Sequence, residues 1–343
     1  MRPWSWIPAK TIEAIDGARG LIRAKMFCNL ELVLRHTRLT VMSRKPDSAR
    51  TTPPPRTHAS PDGGLSSLQL LARGQEDEAL NFLGASPVQN VIMSSLIRDN
   101  GFERNLNRGD FYACRDARGE TTGVALIGHH IIFASQCAEA IEAFARRARE
   151  QRDAHVILGE RKSVKQFWSG YARAGESPLL VQRELLLEQK WPVAVRESVP
   201  ELRLATLDDL SQVATVHALL ALAESSSNPL EVDPEGFRAR LARRIEAGRI
   251  WVWIEDGRLI FKADIFSETP QVIYLEGVYV NPDERGKGYG MRCLSQLSRE
   301  LLLRAKSLCL LVNEQNEPAQ ALYRRAGYKL HSHYDTIYLP PKM

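Results

Sequence analysis

The residues best suited to chemistry lie between Val272 and Gly290, in the stretch VIYLEGVYVNPDERGKGYG. Val272, Tyr274, Glu276, Val278 and Val280 alternate along a β-branched, aromatic run expected to form a strand with these five on one face, and Asn281-Pro282-Asp283 ends it. Arg285-Gly286-Lys287-Gly288-Tyr289-Gly290 then leads into the helical pattern MRCLSQLSRELLLR. The amide N–H groups from Gly286 to Met291 therefore open a helix where glycines keep side chains out of the way, with Arg285 and Lys287 adding charge. Such a turn holds a phosphate or pyrophosphate.

Spacing narrows the ligand. A P-loop would need glycine where Asn281 stands, and a dinucleotide fingerprint would need GxGxxG followed by a strand ending in an acid; here the order is GxGxG and the next strand, LCLLVN, ends in Asn313. A second motif follows in LCLLVNEQNEPAQALYRRAGYKL: a buried strand to Asn313, Asn316 as N-cap, a short helix closed by Gly327, and a further strand from Tyr328.

Arg285-x-x-Gly288-x-Gly290, together with Asn316, Ala319, Leu322, Tyr323, Gly327 and Tyr328, resembles the paired signatures of the GNAT superfamily of N-acetyltransferases. The resemblance to a catalytic GNAT domain covers about the last 140 residues. It implies acetyl-CoA as co-substrate without a metal: pyrophosphate on Arg285, Gly286, Lys287, Gly288, Tyr289, Gly290 and Met291, pantetheine along the backbone of Val278, Tyr279 and Val280, and Asn313 and Asn316 at the far lip. It further implies Tyr323 as general acid, a phenol that stays protonated at neutral pH, and Glu276 as the carboxylate that relieves an incoming ammonium of its proton. The expected reaction is direct acetyl transfer to a primary amine, on a small molecule or a peptide, in a ternary complex. The competing reading is a coenzyme A-binding regulatory or scaffold protein without turnover.

Composition sets the outer limits. The 343 residues are 44% hydrophobic and 25% charged, enough for two ordinary domains. Residues 1–60 hold eleven Lys or Arg against four Asp or Glu, a surplus that exceeds the whole chain's +5 and leaves the remainder at −2. A nucleic-acid footprint is therefore not expected. Cys28, Cys114, Cys137, Cys293 and Cys309 show neither disulfide nor zinc spacing, which favours a reducing cytoplasm, and no apolar run reaches the ~20 residues of a membrane span. His331 and His333 alternate on a strand without a third metal ligand, and His129 and His130 point to opposite faces.

Three segments are expected. Residues 1–64 read as a basic, disordered extension and linker, with Met42 as an alternative initiator. Residues 65–195 carry a βααβββαβαβ order of patterns that repeats the GNAT order, but the turn FASQC before the Cys137 helix has neither glycine nor base. They resemble the GNAT-like N-terminal halves of two-lobed actinobacterial proteins, degenerate at the cofactor turn and expected to wall the acceptor cleft. Residues 200–343 form the catalytic copy, ending in two strands around Tyr328 and Tyr338. The fold class expected is α/β in the α+β mixed-sheet sense: tandem GNAT-like folds whose central, mostly antiparallel mixed sheet is flanked by helices.

Overall fold

The computed structural model describes residues 67–194, 197–225 and 228–340; the expected extension and the alternative start at Met42 lie outside them. The first lobe runs β1 (Ser67–Leu70), α1 (Glu76–Gly84), α2 (Val91–Asn100), α3 (Arg104–Asn107), β2 (Gly109–Arg115), β3 (Thr121–Gly128), β4 (His130–Ser135), α4 (Ala138–Gln151), β5 (Val156–Glu160), α5 (Arg161–Tyr171) and β6 (Leu180–Gln189). The second repeats the order with β7 (Arg203–Leu204), α6 (Leu210–Ser225), α7 (Pro229–Val232), α8 (Pro234–Glu246), β8 (Ile250–Glu255), β9 (Arg258–Glu268), β10 (Val272–Val280), α9 (Tyr289–Leu301), β11 (Ser307–Asn313), α10 (Glu317–Arg325) and β12 (Lys329–Tyr338). Among the described residues, no helix is long and apolar enough to cross a membrane.

Local signals explain several of these boundaries. Asp233 caps α8 by accepting from the Gly236 N–H at 3.0 Å, with Pro234 at the first helical position, where a missing N–H costs nothing. Asp256 and Gly257 both take positive φ, +48° and +71°, the backbone that closes the tight β8–β9 hairpin. In α9 the buried positions Gly290, Cys293, Leu294, Leu297 and Leu301 recur at helical spacing and pack on Ile273, Leu275, Leu308 and Leu310. Each fully buried leucine there contributes about 1.5–3 kcal/mol.

All twelve strands belong to one mixed sheet, ordered β1-β2-β3-β4-β5-β12-β6-β11-β10-β9-β8-β7. The order is symmetric about its centre, and the parallel pairs, β4/β5 and β10/β11, occupy equivalent places on either side. The centre is an exchange. β12, from the second lobe, lies between β5 and β6, and β6, from the first, lies between β12 and β11. In place of two strands around Tyr328 and Tyr338 there is a single strand, Lys329–Tyr338, with one irregularity between Leu330 and Ser332.

The lobes also share a core. Leu83, Met93 and Ile97 of α1 and α2 join one apolar cluster with Val272, Tyr274, Cys309 and Tyr334 of the second lobe. A segment restricted to residues 200–343 would therefore lose β6 from the middle of its sheet and the helices covering one face. Such a segment should be insoluble or show no cooperative thermal transition by circular dichroism, whereas the full chain should melt cooperatively. A soluble, cooperatively melting fragment would show that the exchange is dispensable.

Candidate active-site cleft

Two neighbouring strands that stop pairing part-way create the site. β10 and β11 pair in parallel from Val272↔Ser307 to Tyr274↔Cys309. Beyond that point β11 continues on β6 as far as Asn313, and β10 on β9 as far as Val280. A cleft of about 480 Å³ opens past this parting, walled by the end of β10, the turn into α9 and the helix α10 that follows β11, within the range of small-molecule sites. Val278, Val280, Arg285, Gly286, Gly288, Tyr289, Gly290, Met291, Asn316 and Tyr323 line it, all anticipated from the motifs.

The turn into α9 has the shape of an anion cradle. Gly286 and Gly288 take φ of +80° and +86°, and a Cβ at either would project into open space. The N–H groups of Gly286, Lys287, Gly288, Tyr289 and Gly290 bond no backbone carbonyl among the described residues. Met291 departs from expectation: its N–H already donates to the Gly288 carbonyl at 3.1 Å, so it contributes a cleft-lining side chain instead. Gly290 is needed for a different reason, since a Cβ there would fall 2.9 Å from Val280 Cγ2.

Three other anticipated residues sit just off the cleft lining. Lys287 Nζ donates to Glu284 Oε2 at 2.7 Å and holds that carboxyl below its ordinary range. Tyr279 packs toward the Ala205, Val213 and Phe237 cluster, where burial raises its phenol, leaving only its backbone for the cleft. Asn313 is buried, and its Oδ1 accepts from the Gln315 N–H at 2.8 Å, so it shapes the turn that presents Asn316. Asn316 caps α10 through Oδ1, while its Nδ2 is buried without an acceptor among the described residues. Tyr323 is buried, with its ring 5.9 Å from that of Tyr328, and burial raises its phenol well above the ordinary value.

Glu276 requires a correction. It was expected to share a strand face with Val278 and Val280, but β10 bulges between Glu276 and Tyr279, where Gly277 takes φ of +56°. The extra residue inverts the alternation beyond it. Val278 and Val280 consequently join Ile273 and Leu275 on the α9 face, while Glu276 belongs to the other face with its carboxylate 3.8 Å from Arg244 Nη1.

Around that bulge lies a charged cluster that strand alternation concealed. Asp264 stands directly opposite Glu276 across the strands, and two facing acids would repel. Lys262 Nζ at 2.5 Å and His217 Nε2 at 2.9 Å reach the same Asp264 oxygen, and all three side chains are buried. Although desolvation opposes it, the combined attraction of Lys262 and His217 holds the Asp264 carboxyl far below its usual range. The available signal was Lys262-Ala263-Asp264 inside an apolar strand. Arg325, Pro318 and Glu284 also line the cleft; Arg325 lies three residues beyond Leu322 on α10, a helical spacing that would have found it.

Other singled-out groups go elsewhere. His331 and His333 meet different carboxylates, Glu188 at 3.2 Å and Glu314 at 3.1 Å. His129 stacks on His155, while His130 is buried. Cys293 and Cys309 are buried, and burial pushes the Cys293 thiol up to about 12. In the first lobe β4 and β5 also part, after Ile132↔Leu158, but that cleft measures only about 140 Å³ and Tyr334 of β12 forms part of its wall.

Residues 215–328 match the acetyltransferase (GNAT) family. About a third of the chain, within its C-terminal lobe, therefore carries the pattern of that family. A UPF0039 protein of Schizosaccharomyces pombe is 31% identical over 85 residues, a quarter of this chain and 57% of the relative, so the match spans little more than half of that protein. Solved structures extend the likeness to both lobes. A Drosophila protein superposes with a TM-score of 0.57 at 16% identity, covering 80% of this chain and 99% of its own. A GCN5-related N-acetyltransferase from Sphaerobacter thermophilus gives 0.53 at 14%, covering 83% and 98%. A tandem GNAT protein from the clavulanic acid biosynthesis pathway gives 0.51 at 14%, covering 81% and 100%. These likenesses establish the two-lobed GNAT fold, and the family match supports acyl transfer in general.

Gly277 and Gly286 separate backbone strain from contact, because both have positive φ but only a Cβ at Gly277 would come within 2.8 Å of Asp264 Oδ2 and 2.9 Å of Lys262 Nζ. Gly277→Ala should destabilise the full chain by at least about 1 kcal/mol more than Gly286→Ala in urea titrations. Equal losses would show that the ion pair moves aside freely.

Proposed function

We propose that this chain is an acetyl-CoA-dependent N-acetyltransferase that passes the acetyl group directly to a primary amine. The observation that carries the reading is the unpaired amide row from Gly286 to Gly290 at the mouth of the cleft between β10 and α10. Acetyl-CoA supplies a thioester already activated toward amines, so no covalent enzyme intermediate is required. The amide row, with Arg285 and Arg325 at its edge, would hold the pyrophosphate. The unpaired side of β10 from Val278 to Val280 and the Asn316 Nδ2 donor would hold the pantetheine amides.

Tyr323 serves as the acid. Its buried hydroxyl keeps its proton at neutral pH and delivers it to the leaving thiolate as the C–S bond breaks. Glu276 lies on the opposite face, where it would accept the proton of the incoming ammonium so that the nitrogen lone pair can attack the carbonyl carbon. Donor and acceptor would thus approach from opposite faces of the sheet. Cys137, Cys293 and Cys309 form no disulfide among the described residues, which supports a cytoplasmic setting.

Two substitutions separate binding from chemistry. Gly288→Val places a side chain in the cradle and should weaken acetyl-CoA binding at least about tenfold in isothermal titration, since each charge-assisted hydrogen bond is worth about 1.5–3 kcal/mol. Tyr323→Phe should leave that affinity near wild type while reducing turnover by about 10²–10⁴, read as thiol release over a panel of amines, peptides and aminoglycosides. Full turnover in Tyr323→Phe, with chemistry rate-limiting, would remove Tyr323 as the acid; no acetyl-CoA binding by the wild-type chain would remove the function itself.

A further inference from the structure

Where the lobes meet, one arginine bridges two carboxylates. Arg161 opens α5, and its Nε donates to Asp335 Oδ1 of β12 at 2.8 Å while its Nη2 donates to Glu314 Oε1, just past β11, at 2.6 Å. The helix itself gains nothing from this residue, because the partial positive charge of a helix N-terminus disfavours a cation. Its partners do gain: without the guanidinium, two partly buried acids gathered around one point would repel. Although burial opposes ionisation, Arg161 and then His333 hold the Glu314 carboxyl below its ordinary range.

Glu314 is held by its main chain as well. Its N–H donates to the Arg183 carbonyl of β6 at 2.9 Å, and its carbonyl accepts from Gln320 Nε2 of α10 at 2.8 Å. The same Gln320 nitrogen reaches the Asn313 carbonyl at 3.2 Å, and that carbonyl also accepts the Asn316 N–H at 2.9 Å. Two of these ties, to Arg161 and Arg183, come from the first lobe, and the others lead into α10. Through Asn316, Pro318, Ala319, Leu322 and Tyr323, that helix and its cap form one wall of the cleft. The facing wall, β10 with the turn into α9, belongs to the second lobe.

The main-chain bonds of Glu314 fix where the turn begins, and the side-chain bridge adds a second point that sets its direction. Such presetting matters to a ligand held between two walls, since a ligand that must order its own site gives up binding free energy to do so. An arginine suits the task because its planar fork engages two acceptors in one geometry. We infer that Arg161 is a positioning residue for the donor cleft: acting through Glu314, the first lobe sets Asn316 and α10 against the β10 wall. The inference rests on the acetyl-CoA reading of that cleft, and it gives the first lobe a part in donor binding.

The test uses the full chain and isothermal titration of acetyl-CoA. Arg161→Met and Glu314→Gln should each weaken binding about fivefold or more, and the double variant should be no weaker than the worse single one, because both changes remove the same link. Asp335→Asn is the control for a merely structural role: it breaks the other arm of the bridge without touching the turn, so its affinity should stay within about twofold of wild type. Unchanged affinity in Arg161→Met, losses that multiply in the double variant, or a loss in Asp335→Asn equal to that in Arg161→Met would each overturn the inference. If the wild-type chain binds no acetyl-CoA, the donor reading fails separately, and the link is judged in the ligand-free protein by amide hydrogen exchange at Gln315, Asn316 and Ala319. Exchange there about tenfold faster or more in Arg161→Met than in wild type and Asp335→Asn sustains the link, and equal exchange in all three defeats it. Arg161→Lys, which keeps the charge without the fork, takes the place of the methionine variant if that variant does not fold, and the same outcomes decide.

Discussion

The hydrogen bonding of β12 to β6 is the constraint on which the rest of the molecule depends. β12 pairs with β6 from Lys329↔Glu188 to Tyr338↔Leu180 and simultaneously with β5 from Tyr334↔Glu160 to Tyr338↔Val156. At the centre the Thr336 hydroxyl donates to Glu184 at 2.6 Å, with both residues fully buried. Because each lobe completes the other's sheet, neither is an independent unit in the usual sense, and the position of β11 relative to β10 is set by a strand from the first lobe.

That placement creates the cleft. β11 is held along β6 to its last residue, while β10 follows β9, so the parallel pair must part after Tyr274 and Cys309. The bulge at Gly277 then divides the chemistry between the faces of one strand. Val278 and Val280 turn toward the cradle, whereas Glu276 turns toward Arg244 beside the Lys262, Asp264 and His217 cluster. Burying so many charges is stabilising only when each finds a partner, and the absence of a Cβ at Gly277 is what leaves room for Lys262 and Asp264 beneath it.

Much of the site was legible because its determinants are local. The amides from Gly286 to Gly290, the N-cap at Asn316 and the helix carrying Tyr323 are set by residues within a few positions, and each lies where the motifs put it. What could not be read depends on partners distant in sequence. Glu276 was assigned to the wrong face because a period-two count cannot register an extra residue whose only mark is the positive φ of Gly277. The exchange of β6 and β12 escaped for the same reason: both segments read correctly as strands, but a strand pattern does not name its neighbour.

The exchange also sets an order of events during synthesis. The first lobe's β5 has no outer neighbour until β12 is made, and the whole second lobe lies between them in the chain. A chain emerging from its N-terminus can form the helices and the β1–β4 meander early, yet β5 and β6 must wait with open edges until the second lobe has been translated. Long-range closure of this kind is slow, and an open edge can pair with the same strand of another copy. The chain therefore carries an intrinsic hazard of swapping β12 between nascent copies, and it relies on rapid intramolecular closure once β12 emerges to remain whole.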